Sequence, residues 1–192
     1  MYCVKTALTI EDTIKKSRFI GIIIPCQSEN EALQHLNQLH LEYPSASHIV
    51  FAYRILTAKG IVMKFHDAGE PSGTAGKPVF QHLEGKDLIN ILCVVVRYFG
   101  GVKLGAGGLT RAYSNTAKKA IENSTITEYI EYAEVRQEID YKQLQNIEYQ
   151  LEKLNGVIIK QDFSDKISLL IRIPENNLSD LKLIFEKINR GF

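Results

Sequence analysis

Residues 93–111 read CVVVRYFGGVKLGAGGLTR, and this stretch decides most of what the sequence predicts. An apolar strand pattern precedes the glycines and a helical pattern follows them. Five of the chain's 13 glycines lie here within nine residues: Gly100, Gly101, Gly105, Gly107 and Gly108. Glycine permits positive φ and close backbone approach. A strand, a cationic turn and a helix N-terminus in succession are typical of an anion-binding surface.

The charge of the chain is unevenly distributed. Its 192 residues carry a formal net charge of +1. Residues 1–126 hold 14 basic and 10 acidic side chains, whereas residues 127–192 hold 9 and 12. Residues 88–121 contain no acid at all, so local potential there favours phosphates. The cations that we expect to contact phosphate in this stretch are Arg97, Lys103, Arg111, Lys118 and Lys119.

The spacing of the glycines excludes the two common nucleotide motifs. A Walker A loop is absent because no G-K-[ST] follows the glycines, and residues 105–110 lack the third glycine of a dinucleotide fingerprint. Two interpretations stay open. The glycines serve close packing between a strand and a helix, or they form an anion-contacting surface.

A second glycine-rich segment covers residues 67–78, DAGEPSGTAGKP. Two prolines and three glycines in twelve residues predict an irregular loop. Ser72 and Lys77 do not form an S-x-x-K motif, so we assign no catalytic residue. We expect the loop to be rigid and to face the neighbouring glycine turn, with Lys77 reaching phosphate. Its candidate residues are Asp67, Glu70, Ser72, Gly73, Thr74 and Gly76.

Composition narrows the class of protein. No apolar run approaches the roughly 20 residues of a membrane span, and the N-terminus lacks the apolar region of a signal peptide. Three dispersed cysteines predict neither a disulfide framework nor a zinc site. We therefore expect a reduced, cytoplasmic protein that has no cofactor, no bound metal and no contact with a membrane.

Hydrophobic periodicity predicts an α+β chain in two domains. The first covers residues 1–125, with Ser28 and Glu31 as a capping box for its first helix. In this domain, the continuous apolar run of residues 89–99 predicts a strand buried on both faces. The helix that follows the glycines is predicted to bury a stripe formed by Leu109, Ala112, Tyr113, Ala117, Ala120 and Ile121. The second covers residues 126–192 in the order βαββα, a ferredoxin-like sandwich that lacks its last strand. Its final helix is expected to end at Gly191. An incomplete sheet would leave an edge for a protein partner.

These segments together resemble the IMPACT/YigZ family. The residues that carry the resemblance are 16–20, 46–53, 69–78, 94–101, 103–109 and 111–113. Membership implies an N-terminal domain with the fold of ribosomal protein second domains and of domain IV of elongation factor G. It implies a C-terminal domain similar to domain V of that factor. Ala68 replaces an acid often found beside Asp67, which weakens a metal interpretation.

The eukaryotic members of that family are translation regulators, and nucleic-acid binding is the usual proposal for the bacterial ones. The leading hypothesis is therefore a non-enzymatic factor that binds RNA or the ribosome through the basic glycine-rich surface. One alternative is an enzyme or binding protein for a nucleotide or phosphorylated small ligand. A third hypothesis is a protein-interaction module that docks through its acidic C-terminal half.

Overall fold

The computed structural model describes residues 1–189, in two units that are each α+β, as the sequence predicts. The first unit is Met1–Tyr129 and the second begins at Ile130. The elements of the first unit are β1 (Tyr2–Val4), β2 (Leu8–Ile14), β3 (Ser17–Pro25), α1 (Glu29–Glu42), β4 (His48–Thr57), β5 (Gly60–His66), α2 (Gly76–Gly85), β6 (Ile91–Tyr98), α3 (Ala106–Glu122) and β7 (Ile126–Glu128).

The core of the first unit is an antiparallel five-stranded sheet in the order β2-β3-β6-β4-β5. Helix α1 packs on one face, and α2 and α3 pack on the other. The central strand β6 is fully buried from Ile91 to Val96, which confirms the prediction from its continuous apolar run. Cys93 lies in this strand, and burial raises the pKa of its thiol to about 12.

Helix α1 begins as its sequence predicts. The Ser28 hydroxyl accepts a hydrogen bond from the Glu31 N–H at 3.2 Å. In a capping box, the Glu31 carboxylate would accept from the N–H of the N-cap, Ser28. Here it accepts instead from the N–H of Gln27, one residue earlier, at 2.6 Å. Both side chains of the predicted pair therefore accept hydrogen bonds from backbone N–H groups at the start of this helix.

Helix α2 corrects the prediction that residues 67–78 are irregular throughout. The helix begins at Gly76, so Lys77 and Pro78 lie in its first turn. Proline is tolerated there because the first turn of a helix leaves its N–H groups without intrahelical partners. A Cβ on Gly76 would lie 2.8 Å from the backbone of His66, so the helix starts in close contact with the end of β5.

The boundary between the units differs from the predicted division at residues 125 and 126. Strand β7 pairs with β1 at the N-terminus, with Cys3 opposite Thr127. This pairing joins Ile126–Glu128 to the first unit and moves the boundary to Tyr129 and Ile130. A three-residue strand with a distant partner has too little local pattern to be recognised from sequence.

The second unit has the predicted βαββα order. Its elements are β8 (Tyr132–Ile139), α4 (Leu144–Lys153), β9 (Val157–Phe163), β10 (Ile167–Pro174) and α5 (Leu178–Asn189), with short 3₁₀ turns before both helices. The sheet order is β8-β10-β9, so β8 and β9 are its edges within residues 1–189. The predicted helix end at Gly191 lies outside the described residues. Across the described part of the chain, no helix combines the length and the apolarity that a membrane crossing requires.

Candidate functional site

A buried charged cluster lies where strand β6 ends. The Glu70 carboxylate accepts hydrogen bonds from Arg97 at 2.6 Å and from the Tyr113 hydroxyl at 2.7 Å. The side chains of Glu70 and Arg97 are only 3% and 5% exposed. The Arg97 guanidinium also lies 5.4 Å from the ring centroid of Phe19. The loop after β5 is thereby fastened to β6 and α3.

Ser17 connects this cluster to the glycine-rich segment. Its hydroxyl accepts from the Gly100 N–H at 3.2 Å and faces Arg97 Nη2 at 3.4 Å. A Cβ on Gly100 would overlap the carbonyl of Lys16, so the two backbones touch. Lys15 and Lys16 form the β2–β3 turn with φ of 46° and 67°. The backbone of this cationic turn is therefore packed directly against the glycines.

Asp67 organises the start of α2. Its carboxylate accepts from the N–H groups of Gly73, Ala75 and Gly76 at 2.9, 3.1 and 2.8 Å. Burial alone raises the pKa of Asp67, but these three N–H groups outweigh that effect and hold the pKa below its ordinary value of 3.8. The anion-binding position at the start of α2 is thus occupied by the chain's own carboxylate.

Replacing Asp67 by alanine is expected to lower the free energy of unfolding of the first unit by about 2 kcal/mol near neutral pH, because three N–H groups lose their acceptor. A lowered pKa in the folded state means that this stabilisation is present above the unfolded pKa of about 4 and disappears as pH falls through the folded value. The difference between the parent and Asp67→Ala should therefore shrink below about pH 4. Urea denaturation from pH 7 to pH 2 measures it.

The matched control is Glu84→Ala, which removes an exposed acid of the same helix. It should change stability little at any pH. A loss on Asp67→Ala that stays constant from pH 7 to pH 2 would contradict the capping role of the carboxylate.

Helices α2 and α3 begin at the same end of the first unit. Helix α2 starts beside His66 and runs towards Arg54, whose guanidinium donates to the Leu83 carbonyl at 3.2 Å. Helix α3 follows the glycines that end β6, contacts Glu70 through Tyr113 and packs along α2, with Ser114 2.8 Å from His82. Within residues 1–189, no side chain caps the N-terminus of α3, and its first turn contains no acid. The exposed N–H groups of this turn leave a site of positive potential.

Five exposed cations lie at this end of the unit, on the β2–β3 turn, the starts of α2 and α3 and the segment between β6 and α3. We call this set the basic end; its members are Lys15, Lys16, Lys77, Lys103 and Arg111. None of the five forms an ion pair with another residue of the range 1–189. The nearby acids Asp67 and Glu70 are already hydrogen-bonded internally. The basic end therefore presents net positive charge to solvent.

Three predicted phosphate contacts lie outside the basic end. Arg97 is 4% exposed and pairs with Glu70, so its charge is used inside the protein. Lys118 lies 3.8 Å from Glu122, and Lys119 pairs with Asp12. Residues 88–121 contain no acid, but the fold places acidic side chains from other segments beside their cations. These acids come from the loop after β5, from β2 and from the last turn of α3.

The remaining predicted residues divide between surface and interior. Most of the glycines and loop positions are exposed, whereas Thr74 and Gly76 are buried and Gly100 and Gly108 are half-buried. Gly105 is the N-cap of α3, with φ of 71°. The exposed positions at the basic end are Ser72, Gly73, Gly101, Gly105 and Gly107.

Sequence reasoning missed the parts played by Ser17 and by the Lys15–Lys16 turn. The run of residues 15–18 is visibly basic, but its value depends on proximity to Arg97, which only the tertiary structure supplies. Tyr113 is fully buried, which confirms the prediction that it belongs to the core stripe of α3. Among residues 1–189, no three His, Cys, Asp or Glu side chains are placed to hold a metal ion.

Comparison with known proteins identifies the family. The Impact N-terminal domain matches residues 15–121, and a domain of unknown function, DUF1949, matches residues 138–183. An IMPACT family member of Haemophilus influenzae is 36% identical over 91% of this chain and 85% of its own length. The IMPACT family member YigZ of Escherichia coli is 32% identical over 96% of this chain and 91% of its own length.

A solved structure agrees with these matches. The crystal structure of a hypothetical protein superposes with a TM-score of 0.70 at 31% identity, covering 99% of this chain and 93% of the other. The Impact N-terminal match contains the Glu70 cluster and the whole basic end. On these grounds, the chain belongs to the IMPACT family.

Proposed function

We propose that this protein binds RNA, free or as part of the ribosome, through the basic end, and that it regulates translation in this way. The observation that carries the proposal is that five exposed, unpaired cations lie on segments at one end of the first unit, the end at which α3 begins without a side-chain cap. Phosphates are the anions that Lys, Arg and backbone N–H groups at a helix N-terminus bind together.

The rigidity of the basic end supports the proposal. Three of the four segments that carry a cation are fastened to the fold by a hydrogen bond that is buried or partly buried. The bonds are made by Ser17 for the β2–β3 turn, Asp67 for the start of α2 and Glu70 for α3. Preorganised cations bind a shaped phosphate surface with less loss of conformational freedom than mobile ones. Structured RNA offers such a surface.

Family membership supports the role in translation. The eukaryotic proteins that this sequence resembles are translation regulators, and the Impact N-terminal match spans the residues of the basic end. The protein-interaction hypothesis stays a prediction for the second unit, whose strands β8 and β9 are sheet edges within the described residues.

Arg111→Gln is expected to weaken RNA binding and to reduce the slope of log affinity against log salt by about 0.7–0.9, because one phosphate contact and its counterion release are lost. Fluorescence anisotropy with a ribosomal RNA fragment measures the affinity and its salt slope, at salt concentrations between about 50 and 300 mM. Lys59→Gln is the control, since Lys59 is exposed in the β4–β5 turn at the opposite end of the sheet.

Equal slopes for the parent, Arg111→Gln and Lys59→Gln would sink the proposal for the basic end. Competition with single nucleotides distinguishes RNA binding from the alternative of a nucleotide or phosphorylated small ligand. RNA should resist competition because it contacts several cations at once, whereas a nucleotide that displaces RNA at comparable concentration would favour a small phosphorylated ligand.

A further inference from the structure

A groove of about 340 Å³ lies on the α1 face of the sheet, opposite α2 and α3. It runs between the C-terminal end of α1 and the strands β4 and β5. Its polar and aromatic lining comes chiefly from His40, Tyr43, Ser47, Phe51 and His66. Neither the predicted site nor the basic end includes any of these residues.

The lining suits a planar, uncharged ligand. Among the described residues that line the groove there is no Asp, Glu, Lys or Arg. The His66 Nδ1 accepts from the Ala68 N–H at 3.1 Å, so the neutral ring keeps its proton on Nε2 as a donor. The Ser47 hydroxyl accepts from the Phe99 N–H at 3.0 Å, which leaves its own O–H as a donor. Donors without formal charge match the edge of a heteroaromatic ring better than they match an ion.

Aromatic faces support the same conclusion. The rings of Phe51 and His66 are stacked, with centroids 5.8 Å apart and planes 26° apart. Phe51 and Tyr53 extend the row, with centroids 6.2 Å apart. His66 is exposed at the end of this row. Stacking on such side chains is how proteins hold unpaired bases without regard to sequence.

The groove adjoins the basic end. Ser47, in the groove, contacts the backbone of Phe99, which directly precedes Gly100. His48 pairs with Arg97 across β4 and β6, so both surfaces lie at the same end of the sheet. The groove and the basic end therefore border the same end of the sheet, which is the arrangement that one nucleotide chain needs to contact both.

We propose that this groove receives one unpaired base of a bound RNA, an inference that rests on the function proposed above. Stacking on the Phe51–His66 pair supplies the affinity, and the donors of Ser47 and His66 meet the edge of the base. Phosphate contacts come from the basic end and base contacts from the groove.

The test measures anisotropy of the full chain with single-stranded RNA oligonucleotides, either intact or carrying one abasic position that is moved along the oligonucleotide. We expect one abasic position to weaken binding by about tenfold. Phe51→Leu should weaken binding of the intact RNA by a similar factor. It should leave both the abasic affinity and the salt slope unchanged, because stacking releases no counterions.

His66→Asn is the second variant, since an asparagine oxygen can still accept from the Ala68 N–H. Phe65→Leu is the matched control, because Phe65 precedes His66 on the opposite face of β5 and packs against Phe80. It should behave as the parent does. Thermal unfolding of each variant confirms that it is folded.

The outcomes separate this inference from the proposed function. RNA binding that depends on Arg111 but ignores Phe51, His66 and every abasic position overturns the groove as a base site and leaves the basic end intact. That result would also be expected if the groove takes a protein side chain. Absence of binding to the oligonucleotides at low salt, with the ribosomal RNA fragment still bound, overturns the groove alone. Absence of binding to both RNAs at low salt overturns both proposals.

Discussion

Glu70→Gln is expected to lower the free energy of unfolding of the first unit by about 3–5 kcal/mol, the range for removing one partner of a buried ion pair. The Arg97 side chain is 5% exposed, so its charge has no compensating access to water once the carboxylate is gone. The Tyr113 hydroxyl also loses its charged acceptor. The chain has no Trp whose fluorescence could report unfolding. Chemical denaturation monitored by circular dichroism, together with hydrogen exchange of the β6 amides, therefore measures the loss of stability.

Glu11→Gln is the matched control. Glu11 forms a two-point contact with Arg18 at 2.7 Å, but both side chains are about half exposed. Exposed pairs of this kind contribute little to stability. A second control is the double variant Glu70→Gln with Arg97→Met, which should recover part of the loss because it removes the uncompensated charge. Equal effects of Glu70→Gln and Glu11→Gln would contradict the buried pair as a source of stability.

Gly100→Ala is expected to cost about 3 kcal/mol, the upper part of the range for forcing extra volume into a close-packed site. A Cβ at this position would overlap the Lys16 carbonyl and lie 2.5 Å from the Ser17 nitrogen. These are backbone atoms, so no side chain can rotate away to relieve the overlap. The β2–β3 turn must move instead, which displaces Lys15 and Lys16 and should also weaken RNA binding. Denaturation and RNA anisotropy on the same samples measure both effects.

Alanine substitutions at two neighbouring glycines distinguish the effect of steric overlap from that of backbone strain. Gly101 has φ of 82° with open space around its α-carbon, so Gly101→Ala should cost only about 1–2 kcal/mol. Gly107 lies in the first turn of α3, also in open space, so Gly107→Ala should cost nothing. If Gly100→Ala proves no worse than Gly101→Ala, the contact with the β2–β3 turn is not what requires glycine at position 100.

Local patterns predicted the elements whose causes are local. The apolar run of β6 predicted a strand buried on both faces, and spacing predicted the buried stripe Leu109, Ala112 and Tyr113 of α3. The βαββα order of the second unit followed from the same periodicities. Such patterns depend on neighbours within a few residues, which the sequence displays directly.

Helix α2 escaped prediction because its cap is remote in sequence. Asp67 accepts from Gly76, nine residues later, and that contact turns a glycine- and proline-rich segment into the start of a helix. The candidate site behaves in the same way. Ser17, Glu70 and Arg97 meet although up to 80 residues separate them. Charge counts along the chain could not show that Lys119 would find Asp12.

The sequence by itself determined the two-unit α+β architecture, the family motifs and the glycine-rich segment from which the site is built. The tertiary structure alone decided which cations face solvent. Charges act through space, so a cation is neutralised by whichever acid the fold brings near it. Arg97 therefore forms a buried ion pair with Glu70, whereas Lys15 and Lys16 remain exposed in the basic end.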